Sequence, residues 1–141
     1  MKFQPDTLDG VNVITRYEHG RLWIGNGAVR TDHTRSVGVT THTRSVLVPS
    51  RGAVVDWGVG CFAELTAAHF EQIAALSPEL VILGTGTRLR FPAPALMRAL
   101  IERRIGVESM DLGAASRTYT VLATEGRSVL GAFLIEADAA P

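Results

Sequence analysis

The chain has 141 residues, 46% of them hydrophobic and only 6% aromatic, and its 14 basic and 14 acidic residues cancel to a formal net charge of zero. That length suits one domain, with a core of Val, Leu, Ile and Ala large enough to need no disulfide or metal. Zero net charge argues against general nucleic-acid binding, and a lone cysteine, Cys61, excludes an internal disulfide and a cysteine-based metal site.

Lys2 is the only lysine. Arginine therefore supplies nearly all the positive charge, in a form suited to bidentate contacts with carboxylate and phosphate. A GC-rich coding sequence gives the same bias. Residues 1–10 read as an irregular arm, 11–137 as a single α/β domain and 138–141 as a tail. The opening Met1-Lys2-Phe3-Gln4-Pro5-Asp6 lacks the apolar core of a signal peptide, and no apolar run reaches transmembrane length, so a cytoplasmic protein without a transmembrane segment is expected.

From Val11 to Val48 the pattern is β-rich. Val11, Val13 and Thr15 alternate with more polar neighbours, His19-Gly20 marks a turn, and Leu22-Trp23-Ile24 opens a second strand before Gly25-Asn26-Gly27. His33-Thr34-Arg35-Ser36-Val37-Gly38-Val39 then recurs nine residues later as His42-Thr43-Arg44-Ser45-Val46-Leu47-Val48, identical at six of seven positions. Nine is odd, so sliding one copy onto the other's place along a strand reverses which face each side chain takes. One copy is expected in the core sheet and the other in an extended loop or an edge hairpin.

Val54-Val55-Asp56-Trp57 reads as a short strand. Thr66 is an N-cap, with Leu65 packing on Phe70 as a hydrophobic staple, and Phe70, Ile73 and Ala74 line the buried face of a helix that Ser77-Pro78 ends. Leu80-Val81-Ile82-Leu83 is apolar throughout, as a strand covered on both faces requires. A helix is predicted from Pro92 to Arg104, burying Ala93, Leu96, Met97, Leu100 and Ile101 and capped by Gly106. Val107 to Met110 returns as a strand, which implies a right-handed parallel crossover. A third helix from Ala114 to Glu125 and a buried strand from Val129 to Ile135 complete the chain.

The chemistry-bearing residues gather in the second half. Gly84-Thr85-Gly86-Thr87-Arg88 follows a buried strand, where backbone N–H groups of a glycine turn can face an anion. It lacks the lysine of a P-loop and the third glycine of a dinucleotide fingerprint, so the glycines equally suit a tight strand exit. Asp111, Arg117 and Tyr119 follow the next strand; if the two strands are parallel, all share one edge. Asp111 serves equally as a helix cap and Arg117 as a carboxylate partner. His19, His33, His42 and His69 have no metal-ligand spacing, and Arg-Ser-Val at Ser36 and Ser45 is no hydrolase elbow. Cys61 is either a reactive thiol or an inert core cysteine. No catalytic set, cofactor or metal is expected.

Several stretches carry a resemblance: Ser45-Val46-Leu47-Val48-Pro49, Trp57, Leu65-Thr66, Pro78-Glu79, Leu83-Gly84-Thr85-Gly86-Thr87-Arg88, Phe91-Pro92, Gly106-Val107-Glu108, Met110-Asp111, Ala114-Ala115, Arg117-Thr118-Tyr119 and Glu125-Gly126-Arg127. In these the chain resembles the small-domain family of the mitochondrial NADH dehydrogenase (complex I) assembly factor 3 and the adipogenesis-associated domain protein, as a bacterial member. The resemblance implies a single α/β domain with a mixed β-sheet, a β-hammerhead-like N-terminal part and helices packed on one side. It departs at Leu112, Ser116 and Thr120, where Thr, Cys and Asn are usual, so a role needing that cysteine does not carry over. It implies a non-catalytic interaction protein with a protein partner, in the assembly of a respiratory or other multiprotein complex. The alternative is a binder of a small anion, or an enzyme, at the Gly84–Arg88 edge.

Overall fold

The computed structural model describes residues 10–26 and 38–137. The arm up to Asp9, the tail from Asp138 and most of the first heptapeptide copy lie outside the described residues. Two sheets are built in chain order. Strands β1 (Val13–Glu18), β2 (Arg21–Gly25) and β3 (Val39–His42) form an antiparallel sheet in the order β1-β2-β3. Strands β4 (Val46–Pro49), β5 (Val55–Asp56), β6 (Leu80–Gly84), β7 (Gly106–Met110) and β8 (Val129–Phe133) form a mixed sheet in the order β5-β4-β8-β6-β7. Three helices accompany them: α1 (Ala67–Ala75), α2 (Arg98–Glu102) and α3 (Leu112–Thr124).

The apolar run of β6 sits where it must, between β8 and β7 and parallel to both. Its side chains feed two cores. Ile82 joins Val48, Val129 and Phe133 beneath Leu112, Ala115, Tyr119 and Ala123 of α3, with Leu22 and Ile24 of β2 in the same cluster. Val81 and Leu83 join Leu47, Leu130 and Leu134 against Phe70 and Ile73 of α1, Leu100 of α2 and Trp57. The α/β class and the mixed sheet are as expected, with a three-stranded N-terminal sheet where the resemblance implied a hammerhead-like part. The helices, however, do not share one side: α3 covers one face of the large sheet, and α1 and α2 cover the other. A strand apolar at every position needs both faces covered.

The second heptapeptide copy occupies the core: Ser45, Val46, Leu47 and Val48 are all buried, and Ser45 Oγ accepts from Ile135 N at 3.0 Å. Val39, from the end of the first copy, is 47% exposed in β3.

Three local expectations shift. The strand at Val54–Trp57 shortens to β5, and Trp57 leaves it to fill the α1 core, its Nε1 donating to His69 O at 3.2 Å. The predicted Pro92–Arg104 helix opens instead as a 3-10 turn, Pro94–Met97, before the single α turn of α2. Prolines at 92 and 94 bring no N–H donor to the first turn, and Ile101 turns outward, 58% exposed. Helix α3 starts two residues early, because Asp111 caps it with Oδ1 accepting from Ala114 N at 2.9 Å.

Candidate functional site

Parallel pairing sets Gly84, at the C-terminal end of β6, beside Met110 of β7 and Phe133 of β8. Helix α3 closes tightly over this point. A Cβ on Gly84 would lie 3.1 Å from both Leu112 Cδ1 and Phe133 Cδ1, so glycine is what permits the approach. The chain then turns through Thr85, which is fully buried. Thr85 N donates to Met110 O at 2.8 Å, and its Oγ1 accepts from Arg90 N at 3.0 Å. The hydroxyl lies 2.8 Å from Arg88 O and 3.1 Å from Met110 O, either of which takes its single proton.

Arg90 folds back over this turn. Its Nη2 donates to Thr85 O at 2.5 Å and pairs with Glu136, beyond the end of β8; the other oxygen of that carboxylate accepts from Phe62 N at 2.9 Å. The guanidinium stands 4.7 Å from the Phe62 ring centre, a cation–π arrangement. Gly86 has φ +94°, and a Cβ there would collide with the Glu136 carboxylate. Gly86 O in turn accepts from Leu112 N at 2.7 Å, tying the turn to the start of α3. The turn is thus a cross-linked unit, and Thr87 and Arg88 are exposed at its tip. Because Arg90 points inward, Leu89 and Phe91 on either side of it are left 50% and 73% exposed.

The structure brings Gly84, Thr85, Gly86, Thr87 and Arg88 together with Asp111 on one edge, and it separates Arg117 and Tyr119 from them. Arg117 is exposed on α3 and lines a groove of about 560 Å³ between that helix and β1, with Ile14, Tyr17, Gly113 and Val121. Tyr119 is fully buried against the large sheet, edge-on to Phe133 with ring centres 5.6 Å apart. Its hydroxyl donates to Asn12 O at 2.9 Å, with Pro49 O at 3.1 Å. Burial pushes its pKa up, so it stays a protonated donor.

Sequence reasoning missed Glu136 and the ion pair it makes with Arg90. The two lie 46 residues apart, and the only local signal is a carboxylate that interrupts the apolar run leaving β8. Cys61 is half-buried and free, at the start of the 3-10 turn Phe62–Glu64. Among the described residues no group of three or more His, Cys, Asp or Glu gathers as a metal site, and no helix is long and apolar enough to cross a membrane.

A bovine (Bos taurus) protein named NADH dehydrogenase [ubiquinone] 1 alpha subcomplex assembly factor 3 is 40% identical over 85 residues, covering 59% of this chain and 46% of its own length. The mouse (Mus musculus) protein of the same name is 38% identical over 92 residues, 64% of this chain and 48% of its own. The chain thus spans about half the length of the curated relatives it matches. A crystal structure of a Bordetella parapertussis protein superposes with a TM-score of 0.74 at 31% identity, over 90% of this chain and 98% of that one. The resemblance read from the sequence holds. Residues 14–134 match the family described as protein of unknown function (DUF498/DUF598), and the chain belongs to that family.

Proposed function

We propose that the chain is a non-catalytic interaction protein that assists assembly of a multiprotein complex, a membrane-associated NADH dehydrogenase in the first instance. The observation that carries this is the exposed Leu89 and Phe91 pair on a loop whose base is locked by Thr85, Arg90 and Glu136. A single exposed apolar residue is ordinary. Here a half-buried ion pair and a buried threonine hold the backbone so that two large apolar side chains face water, which suits the anchor of a protein contact. The names of the relatives supply the kind of partner. The same reading puts the protein in the cytoplasm, meeting its partner through this surface.

The test is quantitative capture from the native host with a tagged chain and a Phe91→Ser variant of unchanged melting temperature. Reproducible enrichment of NADH dehydrogenase subunits with the wild type, lost with the variant, supports the reading. No reproducible partner, or equal capture by both, overturns it.

A second reading, a small-anion site at the turn, rests on Arg88. Its exposed guanidinium has no partner among the described residues and stands beside Gly86 and Thr87. Titration with inorganic phosphate, followed by amide shifts at residues 86–88 and repeated with Arg88→Gln, decides it.

A further inference from the structure

Helix α3 presents two surfaces. One is sealed on the large sheet; the other faces β1 across the groove that holds Arg117. The groove is built from the chain's own backbone ties. Ile14 N, on the outer edge of β1, donates to Thr120 Oγ1 at 3.0 Å and fixes strand to helix. Beyond this tie the pairing of β1 with β2 shifts register between Ile14 and Arg16. Gly113 forms part of the floor: a Cβ there would lie 3.2 Å from Tyr17 Cε1, so the missing side chain leaves room beneath the tyrosine ring. Tyr17 on one wall is 37% exposed and Val121 on the other is 54% exposed.

The polar groups lining this space are not equally occupied. Ser116 Oγ donates to Leu112 O at 2.8 Å. Arg16 is paired with Glu18 and stacks over Trp23, 4.9 Å from the ring centre. Thr120 Oγ1 accepts from Ile14, and its own proton has no acceptor among the described residues. Arg117 likewise has no carboxylate or carbonyl partner among them, and no acidic residue lines the groove. An apolar-walled space with one uncompensated guanidinium and the free hydroxyl donors of Thr120 and Tyr17 is complementary to a single negative charge on an apolar body. A dianion would leave a charge unmatched beside Tyr17 and Val121.

We propose that the β1–α3 groove binds a small amphipathic carboxylate, its head paired with Arg117 and Thr120 and its apolar chain lying between Ile14, Tyr17 and Val121. The volume falls within the roughly 300–1,000 Å³ of small-molecule sites. The planar guanidinium matches a carboxylate with two parallel hydrogen bonds. This site is separate from the loop bearing Leu89 and Phe91, so it stands or falls apart from the assembly reading.

The experiment is an amide-shift titration of the full chain with hexanoate and octanoate below their micellar range, alongside octan-1-ol. Saturable shifts confined to residues 13–18 and 113–121 are expected. Each added methylene should tighten binding about threefold to fourfold, as its burial allows. Arg117→Gln, at an exposed site, should leave the melting temperature unchanged and weaken octanoate about tenfold or more while leaving octan-1-ol where it was. Val121→Glu, also exposed, should abolish octanoate binding by placing a like charge on the wall. Shifts that do not saturate, that survive Arg117→Gln unchanged, or that centre on Leu89 and Phe91 would overturn the proposal.

Discussion

The phenolic oxygen of Tyr119, in the middle of α3, donates to the backbone carbonyl of Asn12 at 2.9 Å, across 107 residues of sequence. Asn12 is itself buried, and its Nδ2 donates to Pro49 O and Gly52 O, both at 2.8 Å. Asn12 N adds a bond to Ser50 O at 2.9 Å. The entry to β1, the turn after β4 and the centre of α3 are therefore held at one buried point. The ring of the same Tyr119 meets Phe133 edge to face.

Tyr119→Phe keeps the ring and removes the donor. The Asn12 carbonyl is then buried without its partner, whereas Pro49 O still receives Asn12 Nδ2. The expected loss is about 1–3 kcal/mol, the range for a buried group left unsatisfied. Urea unfolding should show a lower midpoint with an unchanged slope. The wild type should also lose stability above about pH 10, where the unfolded phenol ionises and the buried one does not. The variant should lose less there.

Periodicity made most of the fold legible. The all-apolar Leu80–Leu83 announced a central strand, Thr66 announced the start of α1, and the crossover to Val107–Met110 implied two parallel strands. The side of the sheet each helix covers is a tertiary choice, and no single helix encodes it. The helix predicted from Pro92 starts late, because the missing N–H groups of the prolines at 92 and 94 delay the α-helical bonding by a turn. At the site, Gly84–Arg88 and Asp111 converge because strand direction places both at one edge. Arg117 and Tyr119 diverge because residues two apart on a helix point about 200° apart. Arg90 and Glu136 pair across separate elements, which no local pattern reveals.

Gly131 is the second residue whose lack of a side chain shapes the core. A Cβ there would lie 2.3 Å from Phe133 Cζ, inside the ring's own volume. Gly131→Ala should destabilise by about 1–3 kcal/mol through overpacking. Phe133→Leu withdraws that ring, so the alanine should cost less in the Phe133→Leu background than in the wild type. Equal costs in the two backgrounds would mean that the clash with Phe133 is not the cause.

Thr85→Val tests the locked loop. Valine keeps the shape, but Arg90 N loses its acceptor at 3.0 Å and the carbonyls of Arg88 and Met110 lose their shared donor. A loss of about 1–3 kcal/mol is expected, with faster hydrogen exchange at Arg90. If the locked loop presents Leu89 and Phe91 to a partner, this variant should also weaken capture of that partner below the temperature at which the domain unfolds. Unchanged exchange at Arg90 would show that the Thr85 hydroxyl does not hold the loop.

His42, at the end of β3, makes stability depend on pH in a definite direction. Its Nε2 lies 2.8 Å from Thr40 Oγ1. Burial lowers its pKa from the ordinary 6.5, and the Asp56 carboxylate pulls it part of the way back. Between the folded value and 6.5 the unfolded chain binds a proton that the folded chain does not, so stability rises with pH across that interval. The contribution is present above 6.5 and is lost as the pH falls through the folded pKa. Urea midpoints measured from pH 7.5 down to pH 5 should therefore decline. The decline should be shallower in His42→Gln, which cannot charge. It should be steeper in Asp56→Asn, which removes the counter-charge and lowers the folded pKa further. A His42→Gln profile parallel to the wild type would assign the slope to other groups.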